Sequence, residues 1–247
     1  MEWSKEIMKI LALDASGIVA SVAIASEEEI IAEYTIKHKK THSQTLLPML
    51  DVVAKMIELD LNTIDAIAIA AGPGSFTGLR IGSATAKGLG LALDKPLIEV
   101  PTVDGLAYNL YGNQNLVCPL MDARRNQTYT GLYQFDENGM HTLIPQCVVG
   151  IDEMIGQIND RNLAVTFLGD GVPVFKTYIE ENCKVKFAFA PVHMNKQRAG
   201  AVAALALQYY KQGKTVTAQE HQPEYLRMSQ AERERAEQEK KAAGEPK

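Results

Sequence analysis

Short apolar runs, turns and helical segments follow one another in an order that restricts the fold of this chain more than any other feature. Three runs rich in β-branched and small apolar residues come first and are joined by short polar turns, at residues 7–13, 18–25 and 30–36. Such runs predict three antiparallel strands in a meander. Helix, strand, helix and strand patterns follow, at residues 42–59, 64–70, 79–93 and 96–100. A meander followed by this alternation predicts an α/β layer built on a mixed sheet.

A similar order recurs in the second half of the chain. Three strands are predicted there at residues 117–121, 127–134 and 142–149, followed by a short helix, a strand and a longer helix at residues 152–158, 163–168 and 197–211. Two copies of one plan indicate an internal duplication. Ribonuclease H-like domains have this order of elements. We therefore expect an α/β protein of two such lobes, at residues 8–105 and 106–228, with the last helix in the second lobe.

Charge and cysteine content exclude several classes of protein. The 25 Lys and Arg against 30 Asp and Glu leave a net charge of −5, so no chain-wide basic field can hold nucleic acid by phosphate neutralisation alone. No apolar stretch reaches the length of a membrane helix, no cleavable signal pattern is present, and three widely spaced cysteines fit a reducing compartment. These features predict a cytoplasmic protein without membrane association. Residues 229–247 are highly charged and carry no large apolar side chain, which predicts a solvated or disordered tail.

The most distinctive segment is the loop Gly-Pro-Gly-Ser-Phe-Thr-Gly at residues 72–78. It follows a predicted strand and opens a helix, where backbone N–H groups and the helix dipole can hold an anion. Its spacing matches neither the Walker loop nor G-x-G-x-x-G, because Thr77 stands at the last glycine position. Ser75 lacks the flanking glycines of a nucleophile elbow. A tight strand-to-helix turn also accounts for the glycines, and the local pattern favours that interpretation.

Two further patterns are weak evidence for a nucleotide or metal site. Asp14 follows the first predicted strand, with Ser16 and Gly17 in the turn, where actin-like ATPases place a phosphate and metal hairpin. An Asx-turn that closes a hairpin produces the same pattern. His38 and His42 have the i, i+4 spacing of metal ligands, but the two lysines between them oppose a divalent cation. We therefore expect no metal site.

The two long helices of the first half indicate an association surface. The helix at residues 42–59 is apolar around about two thirds of its circumference, whereas packing on one sheet needs an arc of roughly 100°. The next helix has a row of small residues at four-residue spacing, which usually marks close approach by another backbone. That backbone belongs either to the same chain or to a partner, and the surplus apolar stripe favours a partner. The predicted partner interface consists of Leu46, Met49, Leu50, Val53, Gly78, Gly82, Ala86 and Gly90.

Five segments, taken in order, closely resemble the bacterial TsaB family, which works in threonylcarbamoyladenosine synthesis on tRNA. They are ILALD at residues 10–14, HSQTLLP at 42–48, GPGSFTGLRIG at 72–82, MDAR at 121–124 and PEYLR at 223–227. The segment at residues 72–82 is highly specific, and the resemblance runs from about Met8 to Arg227. It implies two ribonuclease H-like lobes of the actin/Hsp70/sugar-kinase (ASKHA) superfamily.

The resemblance also implies a non-catalytic partner of TsaD, the related enzyme that moves threonylcarbamoyl to the adenosine 3′ of the anticodon. A small ATPase, TsaE, completes that bacterial complex. In TsaD a similar loop, helix and strand lead into a His-x-x-x-His metal pair, and here Thr102 and Leu106 stand at those positions. TsaB-like proteins pair with TsaD through the two helices of the first lobe. The implied protein is a scaffold without a catalytic residue, metal or cofactor. Whether the isolated chain is a monomer or a homodimer, and whether it contacts tRNA within the complex, are left open by the sequence.

The residues leave other classes of function open. A free-standing ATPase or small kinase would use Asp14 and the loop at residues 72–78. A peptidase is less well supported, because the sequence shows neither a zinc motif nor a Ser/His/Asp grouping with supporting spacing. Arg124 and Arg125 either reach a phosphate or form solvated surface.

Overall fold

The structure is a computed structural model that describes residues 7–37 and 42–227. His38 and the predicted tail at residues 229–247 lie outside the described residues. The first sheet contains β1 (Lys9–Asp14), β2 (Ala20–Ser26), β3 (Ile30–Ile36), β4 (Ala66–Gly72) and β5 (Leu97–Pro101). The second contains β6 (Leu116–Asp122), β7 (Gln127–Asp136), β8 (Gly139–Gly150), β9 (Val165–Leu168) and β10 (Phe187–Phe189). The α-helices are α1 (Leu46–Met56), α2 (Phe76–Leu93), α3 (Thr102–Ala107), α4 (Ile151–Arg161), α5 (Val172–Asn182) and α6 (Ala199–Lys211).

The two sheets have the same topology. Their strand orders are β3-β2-β1-β4-β5 and β8-β7-β6-β9-β10, so each strand of the first lobe has a counterpart in the second. In both sheets the three meander strands pair antiparallel and the last two strands pair parallel. The predicted duplication and the predicted α/β fold of two ribonuclease H-like lobes are confirmed.

Helices cover both faces of the first sheet. Leu11 and Leu13 of β1 point into a core shared with α1 and α2. Ile10 and Ala12 point to the opposite face, where they pack on α6. Alanines and a glycine on α6 carry little bulk, so this helix lies close to the strands. Both faces of β1 are therefore buried, as expected for a central strand between two helical layers.

The second sheet is covered by α4 and α5 on one face and by α3 on the other. On the α3 side, Val103 and Leu106 pack against Tyr133 of β7, which is fully buried. Because α3 follows β5 directly, it joins the two lobes while it covers the second sheet. None of the helices among the described residues combines the length and the apolarity that a bilayer crossing requires.

The structure differs from the predicted division of the chain at two points. The predicted boundary between residues 105 and 106 falls inside α3. The C-terminal helix, assigned to the second lobe by sequence order, packs on the first sheet. The sequence pattern also missed α5 and β10, since α5 buries only Phe175 and Ile179 and therefore has a weak apolar stripe.

The eight residues predicted to form the partner interface lie inside the first lobe. Leu46, Met49, Leu50 and Val53 are at most 5% exposed and belong to the core under α1. The row on α2 also faces inward: a Cβ on Gly82 would approach the Ile69 Cδ1 atom to 3.0 Å, and one on Gly90 would approach the Leu97 Cδ2 atom to 3.0 Å. These residue assignments are corrected, because the close backbone approach is intramolecular. Association through the two helices stays a prediction, and it would use their outer faces.

Two glycines of α2 should respond oppositely to the same substitution. A Cβ on Gly78 would collide with the Ala15 carbonyl oxygen, whereas nothing lies within 4 Å of a Cβ on Gly88. We expect Gly78→Ala to lower the free energy of unfolding by about 1–3 kcal/mol, as overpacking does. Gly88→Ala should raise it by about 0.5–1 kcal/mol, because alanine is the better helix former. Urea unfolding measures both, and equal effects would contradict the inward orientation of the row.

Candidate functional site

The two lobes enclose a cleft of about 330 Å³. Turns from equivalent strands contribute to it: β1 and β6 both end in an aspartate followed by alanine, at Asp14 and Asp122. The turn after β1 gives Ser16 and Gly17, the start of α2 gives Ser75, and the second lobe gives Asp122 and Asp170. The arrangement is the one expected when two copies of a lobe face each other across a shared groove.

Asp14 forms an Asx-turn rather than an exposed ligand. Its Oδ1 atom accepts hydrogen bonds from the Ser16 backbone N–H at 2.9 Å and the Ser16 hydroxyl at 2.6 Å. The residue is 2% exposed, and burial raises the pKa of its carboxyl above the ordinary value of 3.8 although the Ser16 hydrogen bonds lower it. His42 Nε2 donates to the Gly17 carbonyl at 2.8 Å, so this histidine fastens the turn.

The loop at residues 72–78 is a tight turn whose glycines are required by neighbouring backbone. A Cβ on Gly74 would collide with the Ser16 carbonyl oxygen, and the Ser75 N–H donates to that same oxygen at 2.7 Å. Gly72 has a φ of +125°, and a Cβ there would meet the Glu224 carbonyl. Ser75 caps α2 by accepting from the Gly78 N–H at 3.3 Å. The turn interpretation of this segment is therefore correct.

Thr102 and Leu106, which stand at the positions of the His-x-x-x-His metal pair, have structural roles in this chain. Thr102 is buried, and its hydroxyl accepts a hydrogen bond from the Gly72 N–H at 3.0 Å. Leu106 is 2% exposed and packs in the core between α3 and the second sheet. Within the part of the chain that the structure describes, no three His, Cys, Asp or Glu side chains are grouped so as to hold a metal ion.

The chain after α6 returns across the first lobe to the cleft, and we call residues 214–227 the C-terminal strap. Val216 and Leu97 exchange both backbone hydrogen bonds at 2.9 Å, which fixes the start of the strap to the edge of β5. Further along, the Glu224 N–H donates to the Ala71 carbonyl at 2.7 Å. Sequence reasoning gave this strap no structural role, although it contains one of the family segments.

The strap ends in the cleft and links the two lobes. The Tyr225 ring lies 4.7 Å from the Phe76 ring at the start of α2, and the Arg80 guanidinium covers the Phe76 ring at 4.1 Å. Arg227 Nη1 donates to the Ala123 carbonyl of the second lobe. Both Tyr225 and Arg227 line the cleft. Part of the groove between the lobes is therefore filled by the chain itself.

The strap is also held by a Ser–His–Glu cluster that sequence reasoning did not find. His221 Nε2 lies 2.9 Å from the Ser83 hydroxyl, and His221 Nδ1 lies 2.6 Å from Glu99 Oε1. His221 is fully buried and Ser83 is 6% exposed, so neither is open to a substrate as a catalytic nucleophile and base would be. The three residues lie far apart along the chain, so no local spacing could reveal them. Their contacts indicate an anchor for the strap.

The second-lobe side of the cleft is polar and charged. Asp122 accepts hydrogen bonds from the Arg124 N–H at 2.8 Å and the Arg124 Nη1 at 3.1 Å. Arg124, Arg125 and Asn126 all have positive φ, between 55° and 64°, so this turn is a left-handed one that exposes both arginines. Asp170 Oδ1 is buried without a hydrogen-bond partner in the described residues, and burial raises the pKa of that carboxyl.

The duplicated sheet order, with an aspartate turn from each lobe at one cleft, defines an α/β protein of the ASKHA class. The model of a protein family described as TsaD: tRNA N6-adenosine threonylcarbamoyltransferase matches residues 29–235. The chain is 32% identical to the tRNA threonylcarbamoyladenosine biosynthesis protein TsaB of Bacillus subtilis over 225 aligned residues. The aligned region covers 91% of this chain and 96% of the relative. The chain belongs to the TsaB family.

Two further similarities agree with this assignment. The TsaB protein of Haemophilus influenzae is 30% identical over 238 residues, covering 89% of this chain and 94% of the relative. A solved structure described as YeaZ from Pseudomonas aeruginosa superposes with a TM-score of 0.76 at 27% identity, covering 89% of this chain and 100% of that one. The similarity in sequence and in fold thus extends over about nine tenths of the chain.

The anchor role of His221 can be tested by substitution. We expect His221→Ala to lower the free energy of unfolding by about 1–3 kcal/mol, because the buried Ser83 hydroxyl and the Glu99 carboxylate lose their partner. The strap should also become accessible to protease after α6, which limited proteolysis followed by mass spectrometry detects. His141→Ala serves as the control, since His141 is exposed and makes one ion pair with Asp136. Unchanged proteolysis in His221→Ala would show that the strap is held by its other contacts.

Asp14→Asn should stabilise the protein at neutral pH. Because the pKa of Asp14 is higher in the folded protein than in the unfolded chain, ionisation of this carboxyl lowers the free energy of unfolding at neutral pH. That loss of stability disappears as the pH falls from the pKa of the folded state towards 3.8, the ordinary value. Asparagine keeps an acceptor oxygen for the Ser16 hydrogen bonds without the charge. The melting temperature should therefore rise at pH 7 and the difference should disappear below pH 3.8. Asp51→Asn, which removes an exposed carboxylate of α1, controls for charge alone, and a less stable Asp14→Asn at pH 7 would contradict the argument.

Proposed function

We propose that this chain is a non-catalytic scaffold and activator that pairs with a TsaD-like protein in the complex that transfers threonylcarbamoyl to the adenosine 3′ of the anticodon in tRNA. The observation that carries the proposal is the set of large apolar side chains that α1 and α2 leave exposed. Leu47 and Met56 of α1 are 51% and 81% exposed, and Leu91 of α2 is 58% exposed. Large apolar side chains left exposed on two neighbouring helices favour a site of protein association.

The two helices suit association because they lie side by side on one face of the first sheet. Their inner faces share one core, so their outer faces both point away from the sheet on the same side of the lobe. On α2 this surface includes the exposed small residues Ala84 and Gly88, next to Leu91. Small residues let a partner helix approach closely, and the larger apolar side chains around them bury area on contact. A stable complex should bury on the order of 1,600 Å² in total.

The lack of catalysis in this proposal is supported by the residues at the positions of the TsaD metal pair. Thr102 accepts a backbone hydrogen bond and Leu106 lies in the core, so neither offers a metal ligand. The alternative, a free-standing ATPase or kinase, would need Asp14 at the surface of the cleft, but that carboxyl is buried in its own turn. ATP titration of the isolated chain by calorimetry separates the two, and tight stoichiometric binding would favour the alternative.

The proposal also implies further components of the complex. The larger complex would include a TsaE-like ATPase and would contact tRNA as an assembly in the cytoplasm. When the TsaD-like partner is absent, the same outer faces of α1 and α2 would form a homodimer. The two complexes would therefore exclude each other, because both use the same surface.

Substitution of Ala84 tests the surface. Ala84→Arg places a long cation on the outer face of α2, and arginine is a good helix former, so the far-UV spectrum and melting temperature should stay unchanged. We expect loss of co-elution with the TsaD-like protein of the same organism in size-exclusion chromatography. Leu163→Arg is the matched control, since Leu163 is 49% exposed on the second lobe. Co-elution of Ala84→Arg at the parental level would place the contact elsewhere.

The activator role is tested by measuring threonylcarbamoyl transfer to tRNA with the same purified proteins. The isolated chain should transfer no threonylcarbamoyl to tRNA, and the TsaD-like protein should transfer it faster when the parent chain is added. Ala84→Arg should fail to accelerate transfer, while Leu163→Arg should accelerate it as the parent does. Transfer by the chain without its partner would overturn the non-catalytic part of the proposal.

A further inference from the structure

A second cavity, of about 340 Å³, lies between α3, α6 and the hairpin of β7 and β8. It shares no lining residue with the cleft between the lobes. Asp104 of α3 lines it together with the rings of Tyr108, Tyr111 and Tyr209. The exposed residue Thr142 of β8 stands at its rim. The cavity thus combines one carboxylate with three tyrosine side chains, a largely polar lining and an opening to solvent.

The Asp104 carboxylate lacks a compensating charge. The Tyr133 hydroxyl donates to Oδ1 at 2.6 Å and the Tyr209 hydroxyl donates to Oδ2 at 3.5 Å. These two donors occupy half of the acceptor positions that a carboxylate offers. In residues 7–37 and 42–227, no Lys, Arg or His forms an ion pair with Asp104. Burial raises the pKa of this carboxyl, because the surroundings solvate its charge less well than water does, although the two tyrosine hydrogen bonds lower it.

The aromatic wall already holds a cation of the chain itself. Lys214 lines the cavity, and its Nζ atom lies 4.8 Å from the centroid of the Tyr209 ring. The Tyr108 and Tyr111 rings stand next to each other with centroids 5.1 Å apart. Ring faces attract cations most strongly where water is partly excluded. A cation that entered the cavity would therefore lie next to tyrosine side chains and to the Asp104 carboxylate.

From this combination we propose that the cavity binds a small organic cation that carries a guanidinium or primary ammonium group, with Asp104 as its counter-ion. The group would take the free acceptor positions of Asp104 and would lie against the tyrosine rings. The volume is at the lower end of the range for ligand sites, so it fits one such end group and a short aliphatic stem. A free molecule and the end of an arginine side chain of a peptide present the same chemistry to the site.

The test titrates agmatine, which has a guanidinium and an ammonium group, into the full-length chain by calorimetry. We expect saturable binding of one agmatine per chain, and at least tenfold weaker binding by Asp104→Asn. N-butylurea, a neutral shape analogue, should not bind. Lys214→Ala should bind agmatine at least as well as the parent, because it vacates the Tyr209 face. Asp94→Asn, which changes an exposed carboxylate outside the cavity, should bind as the parent does.

A second variant keeps the proposal testable if Asp104→Asn does not fold. Thr142→Arg changes an exposed rim residue and places a tethered guanidinium at the opening, so it should abolish agmatine binding while the chain stays folded. Parental agmatine binding by Thr142→Arg or by folded Asp104→Asn would overturn the proposal, as would equal binding of N-butylurea. N-acetylarginine amide separates the two sources of the group: if it binds like agmatine, the site accepts a peptide side chain, and if only agmatine binds, it takes free cations.

Discussion

The turn after β1 lies directly against the backbone at the start of α2, and the rest of the first lobe depends on that contact. The carbonyls of Ala15 and Ser16 occupy the space that side chains on Gly78 and Gly74 would need. The Ser75 N–H completes the contact by donating to the Ser16 carbonyl. This contact holds α2 with its row of small residues towards the sheet, so the opposite face of the helix is left for solvent or a partner. In the same turn, the Ser16 N–H donates to the Asp14 carboxylate, which keeps that carboxylate inside the turn.

The sequence predicted the fold well because the strand patterns are local. Each meander consists of apolar runs bounded by turns, and these runs are visible without knowledge of tertiary contacts. The order of elements then leaves few topologies, and the observed sheets have the expected one. The placement of α6 was missed because sequence order put it after the second lobe, whereas its small residues pack on the first sheet.

The sites were harder to predict because they depend on which backbone approaches which residue. A row of glycine and alanine on α2 indicates close approach by another backbone, but the same row suits a strand of the same chain and a helix of a partner protein. The apolar stripes of α1 raise the same problem, since Met49 and Val53 turn inward together. The anchor of His221 joins residues 122 and 138 positions away, beyond the reach of any spacing argument.

The pairing of Val216 with Leu97 has a consequence for the exposed border of the first sheet. Strands at the border of a sheet present unpaired N–H and C=O groups that can recruit a strand from another molecule. Leu97 of β5 uses both of its backbone groups on Val216, so part of that border is already satisfied by the same chain. A strand from another molecule therefore cannot form a continuous ladder along β5, because the ladder would be interrupted at Leu97.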